Sequence, residues 1–360
     1  MAVAGGVNGA PALALGPAMI YRPGMTTHPA IAPLLEGLRE ASLVAAEGRV
    51  VAANAAARSL LGAEIAGSRV EEIIAHPAAL EMLERPGDGS EEVELTGVGK
   101  SRRHWLLRIA PLADGTQLIR FIDRSEARAA EQMRVDFVAN ASHELRTPLS
   151  TLIGYTETLR EQGDEIDPQT RERFLSVVHD EARRMQRVVE DLISLSRIEA
   201  EKFTEPTEDV DLPPLIDQAI EGARRLADED GSELIRNVDA GLPHIAADRG
   251  QILQLLDNLV TNALRYGEPG TPVTVSAHRD GAMIHLSVAD HGEGIPSEHI
   301  ARVTERFYRV DTSRSRSLGG TGLGLSIVKH IVERHRGRLR IDSKRGEGTT
   351  VHVLFPVAPS

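Results

Sequence analysis

Phe137-Val138-Ala139-Asn140-Ala141-Ser142-His143-Glu144-Leu145-Arg146-Thr147-Pro148-Leu149 is the stretch on which the reading of this chain turns. Extended in both directions it carries a heptad pattern. Val135, Val138, Ser142, Leu145, Leu149, Leu152, Thr156 and Leu159 alternate by three and four residues and form an a/d seam. His143 falls one residue past a seam position, beside Asp136, Ser150 and Glu157 at the same heptad place, so its imidazole is expected to face water. Pro148 has no N–H for the carbonyl of Glu144 and predicts a kink or a loosened turn. A solvated histidine on a helix is ordinarily no more than that. The adjacent carboxylate and the local kink give His143 a second reading, as a reacting group.

A second helical pattern follows. Asp167-Pro168 opens it, because proline suits the first turn of a helix. Its seam runs Phe174, Val178, Glu181, Met185, Val188, Leu192, Leu195, and Glu181 is a charge at a seam position that the pattern does not explain. A lone hairpin of two such helices leaves half its seam uncovered. Pairing with a second copy into a four-helix bundle is the expected remedy.

Bulk composition narrows the function classes. With 360 residues the chain has room for two or three domains with their own cores. A net charge of −12 and a pI near 5.6, with no dominant basic stripe, argue against nucleic acid as the main partner. The absence of cysteine removes disulfides, thiolate catalysis and Cys-based metal sites, and fits a reducing cytosol. Residues 1–20 are apolar but broken by Gly5, Gly6, Asn8, Gly9, Pro11, Gly16 and Pro17, and the first basic residue is Arg22. That pattern suits neither a signal peptide nor a membrane span. The expectation is a flexible arm over 1–33, or a true start at Met19 or Met25, on a cytoplasmic protein that is free or tethered through a partner.

Residues 34–124 read as short strands and short helices. Ser42–Ala46, a Glu47-Gly48 turn and Arg49–Ala52 form a hairpin, and residues 54–62 form a short helix that ends in Gly62. Three further strands lie at 92–95, 104–109 and 116–122. The helical hairpin occupies 125–202, and an α/β segment occupies 208–358. In the latter, helices are expected at 212–228, 251–266 and 323–335, with strands at 273–278, 284–289, 339–343 and 349–355.

Three motifs in the α/β segment carry possible chemistry. Asn258 and Asn262 lie four apart on one helical face, with Arg265 three further on; the amide oxygens suit a hard cation and the guanidinium suits a phosphate. Asparagines at this spacing are also common on helices that bind nothing. Asp290-His291-Gly292-Glu293-Gly294 follows a strand directly, so a carboxylate at the strand end can accept a bond from an exocyclic amine while the glycines admit a flat base. An ordinary glycine-rich turn has the same sequence. Gly319-Gly320-Thr321-Gly322-Leu323-Gly324 runs into a helix and offers backbone N–H groups to phosphate, without Walker A or Rossmann spacing. The polar, basic segment 311–318 before it suits a mobile lid or a plain loop.

Taken in order, these motifs are more specific than any one of them. The His-Glu-Leu-Arg-Thr-Pro-Leu string at 143–149 resembles the H-box of sensor histidine kinases. Asn258/Asn262, Asp290–Gly294, Glu305-Arg306-Phe307-Tyr308-Arg309 and Gly320–Gly324 resemble the N, G1, F and G2 boxes of the GHKL ATPases in their histidine-kinase branch. Strand, turn, strand, Asn, helix and three strands resemble a PAS domain. Residues 303–311 with 137–140 look most like the phosphate-regulon sensor branch, although Thr304 replaces the Phe that usually opens the F-box and that branch is usually membrane-anchored.

The resemblance implies a multidomain α+β protein: a PAS-like α/β sensor domain, an antiparallel two-helix hairpin forming a dimeric four-helix bundle, and an α/β-sandwich GHKL ATP-binding domain. It implies ATP and Mg²⁺ as cofactors, a homodimer, and a response regulator receiver domain as partner. His143 would accept the phosphoryl group, with Glu144 taking its Nδ1 proton. Thr147 would orient water in a phosphatase reaction on that regulator. Asn258, Asn262, Arg265, Tyr266, Asp290, Gly292, Gly294, Gly320, Thr321, Gly322, Leu323 and Gly324 would hold the nucleotide, Asn262 and Asn258 its metal. The competing readings are an inactive PAS and dimerisation scaffold and a different GHKL ATPase.

Overall fold

The computed structural model describes residues 31–84, 90–98, 101–112, 115–163, 165–310 and 320–358. The expected arm, apart from its last three residues, and the basic segment 311–318 lie outside them. Two compact units divide the chain, Met1–Val135 and Asp136–Ser360.

In the first unit, α1 (Ile31–Glu36) precedes β1 (Ala41–Ala46) and β2 (Arg49–Ala53). Glu47 and Gly48 both take positive φ, 48° and 71°, which matches the turn twist to the strand twist. Helices α2 (Ala55–Leu61), α3 (Val70–Ile73) and α4 (Pro77–Glu84) then lead to β3 (Glu91–Val98), β4 (Ser101–Pro111) and β5 (Thr116–Asp123). The strands form one antiparallel sheet in the order β2-β1-β5-β4-β3. Leu43, Val50, Leu107, Ile119 and Phe121 fill the core on one face of it. On the other face, Leu35 of α1 packs with Val44, Val51 and Ala52, and Ile31, within the last three residues of the expected arm, packs against the same cluster. Asn54, 1% exposed, caps α2 through Ala57 N–H (2.9 Å), accepts from Ser42 N–H (3.0 Å) and donates to Leu38 and Glu40 carbonyls.

Helix α5 (Ser125–Glu161) begins in the first unit and continues through the second, and α6 (Pro168–Ala200) returns after it. Asp167 caps α6 by accepting from Gln169 and Thr170 N–H, with Pro168 in the first turn. Helix α5 remains helical through Pro148, which is buried. The seam of α5 is largely uncovered in the single chain, Val138 being 59% and Leu149 47% exposed.

Beyond the hairpin, β6 (Glu208–Val210) pairs with β8 (Ile245–Ala247), and α7 (Leu212–Asp230) and α8 (Arg249–Tyr266) alternate with them. The main sheet contains β7 (Leu234–Val238), β9 (Val273–Asp280), β10 (Met283–Ala289), β11 (Arg338–Lys344) and β12 (Gly348–Pro356), in the order β11-β12-β10-β9-β7. Only the β7–β9 pair is parallel. Buried and half-buried residues alternate along β9, β10 and β12, so one face meets α7, α8 and α10 (Gly324–Arg334) in an α/β sandwich. The short α9 (Ser297–Ile300) lies between β10 and α10. Leu195 and Ile198 at the end of α6 belong to this same core.

Within that core His335 is 4% exposed. Its Nδ1 donates to the Ile331 carbonyl (2.7 Å) and its Nε2 accepts from Asp248 N–H (3.0 Å), a pairing open only to the neutral ring. Burial accordingly lowers its pKa from the usual 6.5. His285, His330 and His352 shift the same way, with burial the largest cause in each. The unfolded chain therefore binds these protons more readily than the folded one. Their stabilising contribution is complete above pH 6.5 and is lost as pH falls below it. Thermal unfolding followed between pH 7.5 and 5.5 (about the range in which an unperturbed histidine titrates) should show a falling midpoint. His335→Leu should unfold at lower temperature throughout, with a shallower fall.

Candidate nucleotide and phospho-acceptor site

A cavity of about 390 Å³ opens between α8, the end of β10 and the start of α10, in the size range of small-molecule sites. Helix α8 lines it with Asn258, Asn262, Arg265 and Tyr266, which share one face because they are spaced by three and four residues. Burial, then the nearby Arg187 guanidinium, lower the pKa of Arg265 from the usual arginine value.

Asp290 stands where β10 ends. Its Oδ1 accepts from Gly292 N–H (2.9 Å) and Thr349 N–H (3.2 Å), which fixes the carboxylate at the cavity wall, and Oδ2 has no hydrogen bond among the described residues. Burial raises its pKa against the lowering effect of those two bonds. Gly292 itself does not line the cavity. A Cβ there would fall 1.9 Å from the Tyr266 carbonyl oxygen, so this glycine lets α8 close against the β10 loop rather than admitting a base. Gly294 does line the cavity.

Gly320, Thr321, Gly322 and Gly324 form the opposite wall. Gly322, at φ 73°, accepts from Phe307 N–H (2.8 Å), and a Cβ on it would meet the Phe307 backbone at 2.9 Å. Leu323 is buried in the core and points away from the cavity lining. Gly324 sits so close to α8 that an added Cβ would lie 2.9 Å from Asn258 Oδ1. Thr321 Oγ1 accepts from Leu323 N–H (3.2 Å) and donates to Asp191 Oδ2 of α6 (2.8 Å).

Helix α6 thus shares the site, a role the heptad reading had no means to assign. Arg187, Glu190 and Asp191 line the cavity, as do Tyr308 and Arg309. Burial raises the Asp191 pKa, with the Thr321 bond opposing it.

His143 is exposed on α5, as the heptad implies, and its imidazole makes no hydrogen bond or ion pair among the described residues. The expected His143–Glu144 contact is absent from this arrangement. Glu144 is instead gripped by Arg309 (2.8 Å) and Arg184 (3.2 Å), whose side chains are 5% and 9% exposed. Both guanidiniums occupy this carboxylate, so the expected acceptor is engaged elsewhere. Arg184 also pairs with Glu181 (3.6 Å), so the charge that breaks the apolar seam is the partner of a buried arginine. Thr147 is exposed, and its Oγ1 donates to the His143 carbonyl (3.4 Å).

Comparison with known proteins agrees with this arrangement. Residues 247–359 match the family described as histidine kinase-, DNA gyrase B-, and HSP90-like ATPase, and residues 133–201 match the His Kinase A (phospho-acceptor) domain. The chain is 35% identical over 309 residues to the phosphate regulon sensor protein PhoR of Pseudomonas aeruginosa, covering 85% of this chain and 69% of that protein. It is 39% identical over 239 residues to the sensor histidine kinase WalK of Bacillus subtilis, covering 65% and 38%. With the sensor-like histidine kinase SenX3 of Mycolicibacterium smegmatis it shares 37% identity over 238 residues, covering 66% and 61%. His143, the helical hairpin that carries it and the cavity beside it therefore belong to a member of the sensor histidine kinase family, ATP-dependent enzymes of two-component systems.

Proposed function

We propose that this chain phosphorylates His143 from ATP and passes the phosphoryl group to an aspartate of a response regulator. The cavity carries this reading, because it collects a fixed carboxylate, two amides, an arginine and a glycine loop at a helix start. Asp290 Oδ2 accepts from the adenine amine. The N–H groups at Gly320–Gly324 and the start of α10 face the phosphates, with Arg265 beside them. Among the described residues no cluster of three His, Asp or Glu can hold a metal. Mg²⁺ would then rest on the oxygens of Asn262 and Asn258 and on the phosphates, where it neutralises charge.

His143 attacks through Nε2 with its proton on Nδ1. The N–P bond forms as the bond from the γ-phosphorus to the bridging oxygen breaks, and ADP leaves with that electron pair. Glu144 can take the Nδ1 proton once Arg309 and Arg184 release it. The first unit acts as a PAS-like sensor, supported by its sheet order and the three helices between β2 and β3. Apolar residues exposed on both hairpin helices, among them Val138, Leu149 and Ile193, support a homodimer. No helix among the described residues is long and apolar enough to cross a membrane, and a cytoplasmic kinase is the reading that fits. Phosphate-starvation signalling is the regulatory context that the PhoR relative suggests.

Incubated with γ-labelled ATP, the wild type should acquire acid-labile, base-stable label and His143→Gln none. Label that survives acid on His143→Gln would point to another GHKL ATPase, and nucleotide binding without label to an inactive scaffold. Asp290→Asn keeps the Oδ1 acceptor for Gly292 and Thr349 but turns the free acceptor into a donor. Its ATP affinity, by calorimetry, should fall by about 10–100-fold, the cost of one opposed polar contact, with folding retained. Thr147→Ala should autophosphorylate normally while losing dephosphorylation of the regulator. Equal loss of both activities contradicts a separate phosphatase role.

A further inference from the structure

The half-buried face of the main sheet, turned away from the helices, carries histidines on β9, β10 and β12. His285 of β10 stands directly opposite His278 of β9, and His352 of β12 stands opposite Ser287, one diagonal step from His285. Their rings meet. His285 Nδ1 lies 3.1 Å from His278 Nε2, and His285 Nε2 lies 2.9 Å from His352 Nδ1. His352 Nε2 in turn lies 3.3 Å from Asp342 Oδ2 of β11. An ionised carboxylate only accepts, so Asp342 fixes the tautomer of each ring in succession. His352 donates from Nε2 and accepts at Nδ1, and His285 does the same. His278, which is exposed, donates from Nε2 and keeps a bare Nδ1 at the open end. Side chains from four adjacent strands thus form one line of hydrogen bonds with a single direction, and none of them lines the nucleotide cavity.

We propose that this line is an acid-sensitive staple across β9, β10 and β12, which accepts one proton intact, opens on the second, and weakens nucleotide binding as it opens. A first proton enters at His278 Nδ1, and every gap between rings still holds one hydrogen. A second proton finds only nitrogens that already accept, so two N–H groups must face each other between rings that both carry charge. Like charges directly opposed across strands are destabilising. The other charged groups around the line are Arg340, which is 2.5 Å from Asp342, and Asp280 at the end of β9. Burial first, then the neighbouring cations, lower the pKa of His285 and His352 from the usual 6.5 against the pull of the two acids. The closed line is therefore favoured above that pH and lost as pH falls below it. Its innermost tie, His285 to His352, crosses the strand pair that fixes Asp290. Ser287 pairs with His352 and Ala289 with Thr350; just beyond, Asp290 N–H donates to the Thr349 carbonyl (2.9 Å) and Asp290 Oδ1 accepts from Thr349 N–H (3.2 Å). A ring that swings out releases β10 from β12 three residues from Thr349. This consequence rests on the nucleotide reading of the cavity, whereas proton uptake by the line does not.

Two experiments test this. Deuterium exchange at the imidazole C2 position, followed by mass spectrometry on peptides of the full chain across about pH 5–8, reports the titration of each ring separately. The His285 midpoint should rise in His278→Gln and in His352→Gln, where a ring that competes for the proton is gone. A midpoint that stays in place in both variants means independent rings and overturns the staple. His278 is exposed, so His278→Gln keeps the test decisive even where His352→Gln fails to fold. ATP affinity is then measured by calorimetry at the two ends of the acid range in wild type and in His285→Gln, whose middle side chain cannot take up a proton. The titration of the nucleotide itself is common to both proteins, so the difference between them belongs to the line. On acidification the wild type should lose about five- to tenfold more affinity than His285→Gln, at the low end of coupling between separate sites. Equal losses overturn the link to Asp290. Coupled rings in a protein that binds no ATP at any pH support the staple and overturn the nucleotide reading, and with it the consequence for Asp290.

Discussion

The charge cluster at Glu144 is the constraint around which the second unit is organised. Two carboxylates, Glu144 and Glu181, meet two guanidiniums, Arg184 and Arg309, with both arginine side chains below a tenth exposed. Balanced in this way the cluster carries no net charge into the interface. Removing one member of a buried ion pair costs about 3–5 kcal/mol, because its partner stays buried without compensation. The cluster is also incompletely satisfied. The Nε atoms of Arg184 and Arg309 and one Glu181 oxygen are buried without hydrogen bonds among the described residues. An interaction of that kind holds position while solvated alternatives remain competitive. That suits the two uses the proposed function makes of Glu144, first as a clamp on the sandwich and then as a base beside His143.

Around the cavity, glycine does structural work that its sequence pattern does not distinguish from ligand binding. Gly292 is dictated by the Tyr266 carbonyl and Gly322 by the Phe307 backbone, in both cases through an approach no side chain tolerates. Phe307 is itself held at φ 62° and bonded to Gly322. The same segment carries Arg306 and Arg309 to the hairpin. The glycine loop, the strained phenylalanine and the two arginines therefore form one mechanical piece. A change in that loop is transmitted to the residues that grip α5 and α6.

Much of this was legible in the sequence, and the rest failed for identifiable reasons. Alternation of apolar residues located β9, β10, β11 and β12, and heptads with the Asp167-Pro168 start located α5 and α6. Strands β6 and β8 have three residues each, too few for a period to show, and β7 reads Leu-Ile-Arg-Asn-Val along a sheet edge where most positions are exposed. Helices α3 and α4 are likewise short. Within the site, Asp290, Asn258, Asn262 and the loop glycines were found by pattern. Arg309, Asp191 and the meaning of Glu181 were not. Periodicity reports which face a helix buries, and α6 buries one stripe against α5 while Leu195, Ile198, Ser194 and Asp191 meet a third element. The signal available was Glu181 itself: a charge on a seam asks for a buried counter-charge, and Arg184 lies one turn away.

Since α6 forms part of the cavity wall, nucleotide affinity and hairpin position are thermodynamically linked. Asp191 is half-buried beside the glycine loop with its pKa raised by desolvation, and its carboxylate is bonded to Thr321. A polyphosphate bound at that loop, as proposed, would meet this carboxylate and Glu190, offset by Arg187 and Arg265, which also line the cavity. A movement of α6 that withdraws Glu190 and Asp191 takes Arg187 of the same helix with them; it removes two carboxylates and one guanidinium and leaves Arg265, which belongs to α8, so it would favour an anion. By reciprocity, nucleotide then favours the withdrawn position by the same factor. The helix that carries these acids is continuous from its Asp167 cap to the core residues Leu195 and Ile198. A shift of the hairpin is therefore felt at the cavity through a rigid element, with no intervening loop to absorb it.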